Sequence, residues 1–157
     1  MEIKISTGTE KDLPQLLALI KELAEFEKAP DQVINTLEKM KVDGFGEKKI
    51  FDFYMIHSSD NLVGMALTYY RYSTWRGRTL YLEDLYIVPD FRGKGIGKKI
   101  MTFLAKKALE NNCSRMSWEV LEWNTPAIEF YRSIDSKLDA EWINCSLEKK
   151  ELENLAG

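Results

Sequence analysis

Cysteine is scarce in this chain. Its two cysteines, Cys113 and Cys145, stand far apart and in no metal-ligand spacing. Neither a disulfide framework nor a metal centre is expected, and both thiols are read as reduced. The single histidine, His57, has no partner nearby in sequence and is given no role. An excess of positive charge is also missing: 22 basic residues face 25 acidic ones, a net charge of −3. That balance argues against gripping nucleic acid through a broad basic face, whereas a small cationic ligand would suit it. No run approaches the roughly 18 apolar residues of a membrane span. The opening "MEIKISTGTE" has no apolar core of a signal peptide, so cytoplasm is expected. Repeats, low-complexity tracts and linkers are absent too, and one domain over residues 1–157 is the simplest organisation.

What is present is ordinary globular patterning, with 45% hydrophobic and 30% charged residues, enough for a real core. "IKIS" reads as a first strand. Thr9 precedes Glu10 and Asp12 as a helix cap, and Leu13, Leu16, Leu17, Ile20, Leu23 and Ala24 carry a helix to about Phe26. A second helix is expected around Thr36–Val42, stopped by Gly44. "IFDFYMIHS" and "LVGMALTYYRYS", joined by "SDN", read as a hairpin, and "RTLYLEDLYIV" as a third strand ending at Pro89. Ile96, Ile100, Phe103, Leu104 and Ala108 then share a helical face. "SRMSWEVL" reads as a strand, "TPAIEFYRS" as a short helix with Pro126 in its first turn, and "EWINCSL" as a last strand. The order implies a mixed α/β (α+β) domain with an antiparallel meander in its middle.

Chemistry concentrates in "YIVPDFRGKGIGKKI", Tyr86–Ile100. Gly93, Gly95 and Gly97 strip side chains from a turn that opens a helix, so backbone can approach a ligand closely. The helix start offers unpaired N–H groups and partial positive charge, reinforced by Arg92, Lys94, Lys98 and Lys99. An anion, most naturally a phosphate or pyrophosphate, is the expected occupant. The spacing is not that of a P-loop, and Lys98 stands where G-x-G-x-x-G needs its third glycine.

"DFRGKGIGKKIM" resembles the R/Q-x-x-G-x-G/A motif of the GCN5-related N-acetyltransferases (GNAT), with Arg92, Gly95 and Gly97 in register. "IKELAEFEKAPDQV", "DGFGE", "YLEDLYIVPDFRGKGIG" and "EWNTPAIEFYRS" extend the likeness to the diamine (spermidine/spermine) N-acetyltransferases over nearly the whole chain. The resemblance implies the GNAT fold: a mixed central sheet with splayed strands and flanking helices. It also implies acetyl-CoA as cosubstrate, no metal, a small cationic amine as acceptor and a homodimer. Arg92, Gly93, Lys94, Gly95, Ile96, Gly97 and Lys98 would hold the cofactor's pyrophosphate. Leu85, Tyr86 and Ile87 would pair with its pantetheine arm, bordered by Asn124, Thr125, Pro126 and Ala127.

Acetylating an alkyl amine requires stripping a proton from an ammonium of pKa ~10.4 and returning one to the departing thiolate. By the resemblance, Tyr131 faces the thioester sulfur as general acid. Glu83 binds the amine and can act as a base through water, with partnership to Arg71, Arg76 or Arg78 as its ordinary alternative. Strand alternation sends Glu83 and Asp84 to opposite faces, so only one is expected in the cleft. Phe26, Glu27, Ser73, Ser117, Trp118 and Glu119 complete the substrate side. For Trp118 and Trp123 packing is the plainer role, and for Glu119, Glu122 and Glu141 a solvated charge.

Two departures from the diamine pattern stand out. Ser73 in "YSTW" replaces an acidic residue, and "FYRSIDSKLDAEW" lacks a glycine after the tyrosine and is short before Trp142. A diamine or polyamine acetyltransferase is the leading expectation. The alternatives are transfer to thialysine or a lysine-like amino acid, transfer to protein lysines, or a CoA-binding module without turnover.

Overall fold

Alternating isoleucines start the chain as β1 (Ile3–Thr7). In the computed structural model, which describes residues 1–157, the Asp12 carboxylate then accepts both the backbone N–H and the hydroxyl of Thr9, at 2.8 and 2.9 Å. This closes a 3-10 turn that runs directly into α1 (Leu13–Phe26), with Pro14 in its first turn where no N–H is needed. The second helix, α2 (Leu37–Phe45), is capped by the Thr36 hydroxyl, which accepts the Lys39 N–H at 3.2 Å. Gly44 does not stop it, as expected from sequence, but lies buried inside it against the Phe51 ring; Gly46 is the C-cap.

The hairpin forms as β2 (Asp52–Ser58) and β3 (Asn61–Ser73), followed by β4 (Gly77–Ile87), α3 (Ile96–Glu110) and β5 (Arg115–Ser117). The sheet order is β1-β2-β3-β4-β5. The first three pairings are antiparallel, and β4–β5 is parallel across α3. Alternate residues of β2 face opposite ways. Phe53 and Met55 join Leu13, Leu16, Leu17, Leu19, Met40, Met65, Leu67 and Tyr86 in the core under α1 and α2. On the other face, Tyr54 meets Phe103 of α3 edge to face, with ring centroids 5.0 Å apart. This is the expected mixed sheet with an antiparallel meander and flanking helices.

Residues 1–121 form one compact unit and residues 122–157 a second, which carries α4 (Thr125–Ser133) and α5 (Lys149–Ala156). The expected last strand, "EWINCSL", does not form. Residues 134–148 have no regular structure, and Glu141 N–H turns back to the Asp139 carboxylate at 2.9 Å. A strand exists only through a neighbour, and this unit offers no sheet edge to supply one. "SRMSWEVL" likewise shrinks to Arg115–Ser117. Both cysteines are free thiols. No helix is long and apolar enough to cross a membrane.

Leu16 is fully buried at the centre of the α1 core. Truncating it with Leu16→Ala should cost about 2–5 kcal/mol of stability, read as a lower urea midpoint with an unchanged slope.

Candidate active site

The ladder between β3 and β4 has one irregularity. Leu67 pairs with Asp84 and the next residue, Thr68, with Leu82, so Glu83 is left as the extra residue of a β-bulge. A bulge bends its strand and re-aims the side chains beside it. β4 pairs with β5 only at Thr79, Leu80 and Tyr81, and that pairing stops two residues before the bulge. Leu82–Ile87 therefore runs on with no β5 partner, which fits the splayed slot that the resemblance implied. Leu85, Tyr86 and Ile87 lie on this stretch. Tyr86 itself packs in the α1 core, so what it offers the slot is backbone.

Past Ile87 a 3-10 turn at Pro89–Phe91 leads into the glycines. Gly93 and Gly95 have φ of 73° and 78°, a left-handed conformation that strains any residue with a Cβ. Nothing lies within 4 Å of where a Cβ would stand on either. Gly95 is the N-cap of α3 and supplies no side-chain cap, and the first helical bond is Lys99 N–H to Gly95 C=O at 3.3 Å. The N–H groups of Ile96, Gly97 and Lys98 thus have no intrahelical acceptor. They carry the positive end of a 15-residue helix, next to the open turn at Gly93 and Gly95. This geometry accepts an anion.

Arg92 does something the sequence did not indicate. Its Nε–H donates to the Ile87 carbonyl at 2.8 Å, and its guanidinium lies 4.7 Å from the Phe26 ring and 5.3 Å from the Tyr86 ring. It braces the glycine turn against the end of α1, the helix whose C-cap is Glu27. Lys94 rests on Phe91, its Nζ 4.9 Å from the ring.

Glu83, Asp84 and Glu27 lie near one another. Burial raises the pKa of the Glu27 carboxyl. Asp84 is pushed up to about 6, chiefly by burial and then by the charges of Glu83 and Glu27. Three carboxylates therefore share one neighbourhood, and a cation among them would relieve both burdens. Strict alternation allows only one of Glu83 and Asp84 in a given cleft; the bulge breaks that alternation, so Asp84 joins Glu83 and Glu27 as a candidate. The signal available was an acidic pair in the middle of an apolar strand.

Glu83 is in no ion pair with Arg71, Arg76 or Arg78. Instead Tyr69 donates its hydroxyl hydrogen to Glu83 Oε2 at 2.9 Å. Burial, then this bond, raises the pKa of the Tyr69 phenol and keeps it a donor. Tyr69 sits opposite Tyr81 across the ladder, ring to ring at 5.3 Å. Tyr81 is raised to about 12 by burial and then by the charges of Glu119 and Glu83. That brings Glu119 beside the tyrosine pair. Ser117 lies at the last β4–β5 rung, with Trp118 following it. Ser73 is used differently: its Oγ accepts the Arg76 N–H at 3.1 Å and closes the β3–β4 turn.

In the second unit Asn124 is the N-cap of α4, its side chain accepting the Ala127 N–H at 3.4 Å across Thr125 and Pro126. Tyr131 lies on the last turns of that helix, its ring 5.3 Å from Phe130.

Residues 16–134 match the model of the acetyltransferase (GNAT) family. The thialysine N-epsilon-acetyltransferase of Sus scrofa is 37% identical over 166 residues, covering 99% of this chain and 98% of that protein. The spermidine/spermine N(1)-acetyltransferase-like protein 1 of Homo sapiens is 32% identical over 155 residues, covering 92% of this chain and 22% of that protein. Among solved structures, an integron cassette protein from the mobile metagenome of V. cholerae superposes with a TM-score of 0.79 at 25% identity, covering 99% and 98% of the two chains.

The Asp84 shift fixes the sign of a stability effect. Its folded pKa, about 6, lies above the ordinary 3.8, so its contribution is complete below about pH 3.8 and is lost as pH rises through 6. Replacing it with Asp84→Asn should remove that loss, stabilising the protein at pH 8 by up to about 3 kcal/mol and far less near pH 4. Urea unfolding at the two pH values reads the difference.

Proposed function

The chain belongs to the acetyltransferase (GNAT) family and is an acetyl-CoA-dependent N-acetyltransferase; from that premise we propose that it acetylates the side-chain amine of a small lysine-like amino acid of the thialysine kind. The observation that carries the choice is the end-to-end similarity to a thialysine N-epsilon-acetyltransferase, at 37% identity. The diamine or polyamine acceptor that led from sequence has weaker support, from a 32% identical relative. The Ser73 hydroxyl, engaged in a turn, supports the same preference, since no carboxylate stands there for a distant ammonium.

The residues present fit acetyl-CoA. Gly93 and Gly95 leave an open cradle, and the N–H groups that start α3 suit a pyrophosphate. Leu85, Tyr86 and Ile87 offer strand backbone beside the slot for the pantetheine arm. Arg92 acts as a brace for the turn more than as a free cation. When bound, acetyl-CoA supplies the activated acetyl group.

The chain's own side chains handle the amine. Glu83, its carboxylate oriented by Tyr69, and Glu27 hold the incoming ammonium. Asp84 takes its proton through water. Moving a proton from a group of pKa ~10.4 to an ordinary aspartate costs about 9 kcal/mol. Moving it to one at about 6 costs only about 6 kcal/mol. Tyr131 is assigned the general acid, and Asn124, Thr125, Pro126 and Ala127 the border of the pantetheine site, on the residue pattern that carries them. Both units belong in this scheme to one transferase domain, since the family match runs across residue 121. Trp142 and Ile143, 76% and 88% exposed, support a homodimer. Cytoplasm remains the proposed location.

Two measurements test this. Thialysine should exceed spermidine in kcat/KM by about tenfold or more, a difference of 1.4 kcal/mol; spermidine ahead would return the chain to the polyamine enzymes. Tyr131→Phe keeps the ring and removes the proton, so turnover should fall by roughly 10²–10⁴ with amine KM nearly constant. Wild-type turnover in that variant would leave Tyr131 without a catalytic role.

A further inference from the structure

One face of the β3–β4 ladder carries opposite charges at its two ends. Arg71 and Tyr69, two residues apart on β3, share that face; Tyr69 stands opposite Tyr81, and Arg71 opposite Thr79. The Arg71 guanidinium leans over the Tyr81 ring, 4.5 Å from its centroid. Tyr81 meets Tyr69 at 5.3 Å, and the Tyr69 hydroxyl reaches Glu83 at 2.9 Å. The sequence along this face is therefore guanidinium, two phenol rings, carboxylate.

Arg71 is exposed and belongs to none of the chain's three ion pairs, which are Lys41–Glu10, Lys49–Asp52 and Lys149–Glu153. Glu119 lies beside the Tyr81 hydroxyl, close enough for a hydrogen bond, and is in no ion pair with Arg71. Contact with a ring face uses none of a guanidinium's five N–H donors, so its N–H edge stays available. That edge matches a carboxylate with two parallel hydrogen bonds, which an ammonium cannot do.

From these contacts we propose that Arg71 is a specificity-determining residue, binding the carboxylate of an amino-acid acceptor whose amine sits among Glu83, Asp84 and Glu27. The lengths agree. Arg71 stands opposite Thr79, four residues before Glu83, or roughly 13 Å along the strand. A lysine-like molecule separates its terminal nitrogen from its carboxylate carbon by six bonds, on the order of 7 Å when extended, and a polar contact of about 3 Å at each end brings the span to about 13 Å. A diamine or polyamine of the same length would bring a second ammonium to the guanidinium, where like charges repel. The acceptor site selects a zwitterion by having a charge of each sign at the right spacing. This deepens the thialysine-type reading and rests on it.

The test compares two amines that differ only in the carboxylate: thialysine and bis(2-aminoethyl) sulfide, its decarboxylated counterpart. Wild-type enzyme should prefer thialysine. Arg71→Met should lower kcat/KM for thialysine roughly 10- to 100-fold, mainly through KM, and raise transfer to the diamine. Arg71→Lys should recover part of the preference, as a charge without the fork. Arg71→Glu should invert it. Thermal midpoints near wild type would confirm that these exposed changes leave the fold intact. If acetyl transfer persists and the thialysine-to-diamine ratio is the same in wild type, Arg71→Met and Arg71→Glu, the inference is overturned alone. If wild-type enzyme acetylates the diamine and not thialysine, the amino-acid reading falls, and the role of Arg71 with it.

Discussion

Everything in the first unit depends on β4 keeping one neighbour and parting from the other. Along β3 it is paired from Gly77 to Ile87, and along β5 only from Thr79 to Tyr81. A strand freed on one side presents backbone groups that still want partners, and it does so inside the domain and not at its rim. The bulge at Glu83 falls just past the point of parting. Pairing on one side keeps the strand rigid while the unpaired side stays open to a ligand.

The same stretch joins two electrostatic problems that would each be costly alone. Asp84, half-buried, lies beside Glu83 and Glu27, a crowd of negative charge that a cation would relieve. A few residues on, the start of α3 gathers unpaired N–H donors that an anion relieves. Arg92 ties the two regions together: it bonds the end of β4 and stacks on Phe26, the residue before Glu27. Crowded carboxylates and unpaired N–H donors thus lie at opposite ends of one short segment. In the proposed function, that polarity would bring an amine and a phosphate-bearing donor together.

Tyr69 and Tyr81 are the less obvious part of this design. Their rings fill the face between Glu83 and Arg71, orient one and carry the other, and burial keeps both phenols protonated. Neither contributes a charge at neutral pH. They set the distance between two that do.

The sequence by itself determined the element order through Ser117, the hairpin at "SDN", the helix faces and the anion turn. These follow from local rules: side-chain period, caps, and glycines where φ is positive. Glu83 and Glu27 entered as candidates through the likeness to a family. Asp84 did not, because alternation holds only while a ladder stays in register and the Leu67–Thr68 shift is a property of two strands together. Arg92 as a brace and Arg71 on Tyr81 were equally hidden, since each meets residues far away in sequence or across a ladder. The strand expected at "EWINCSL" failed for the converse reason. Its residues favour extension, but extension becomes a strand only when a neighbour supplies the other half of each hydrogen bond, and that is decided in three dimensions.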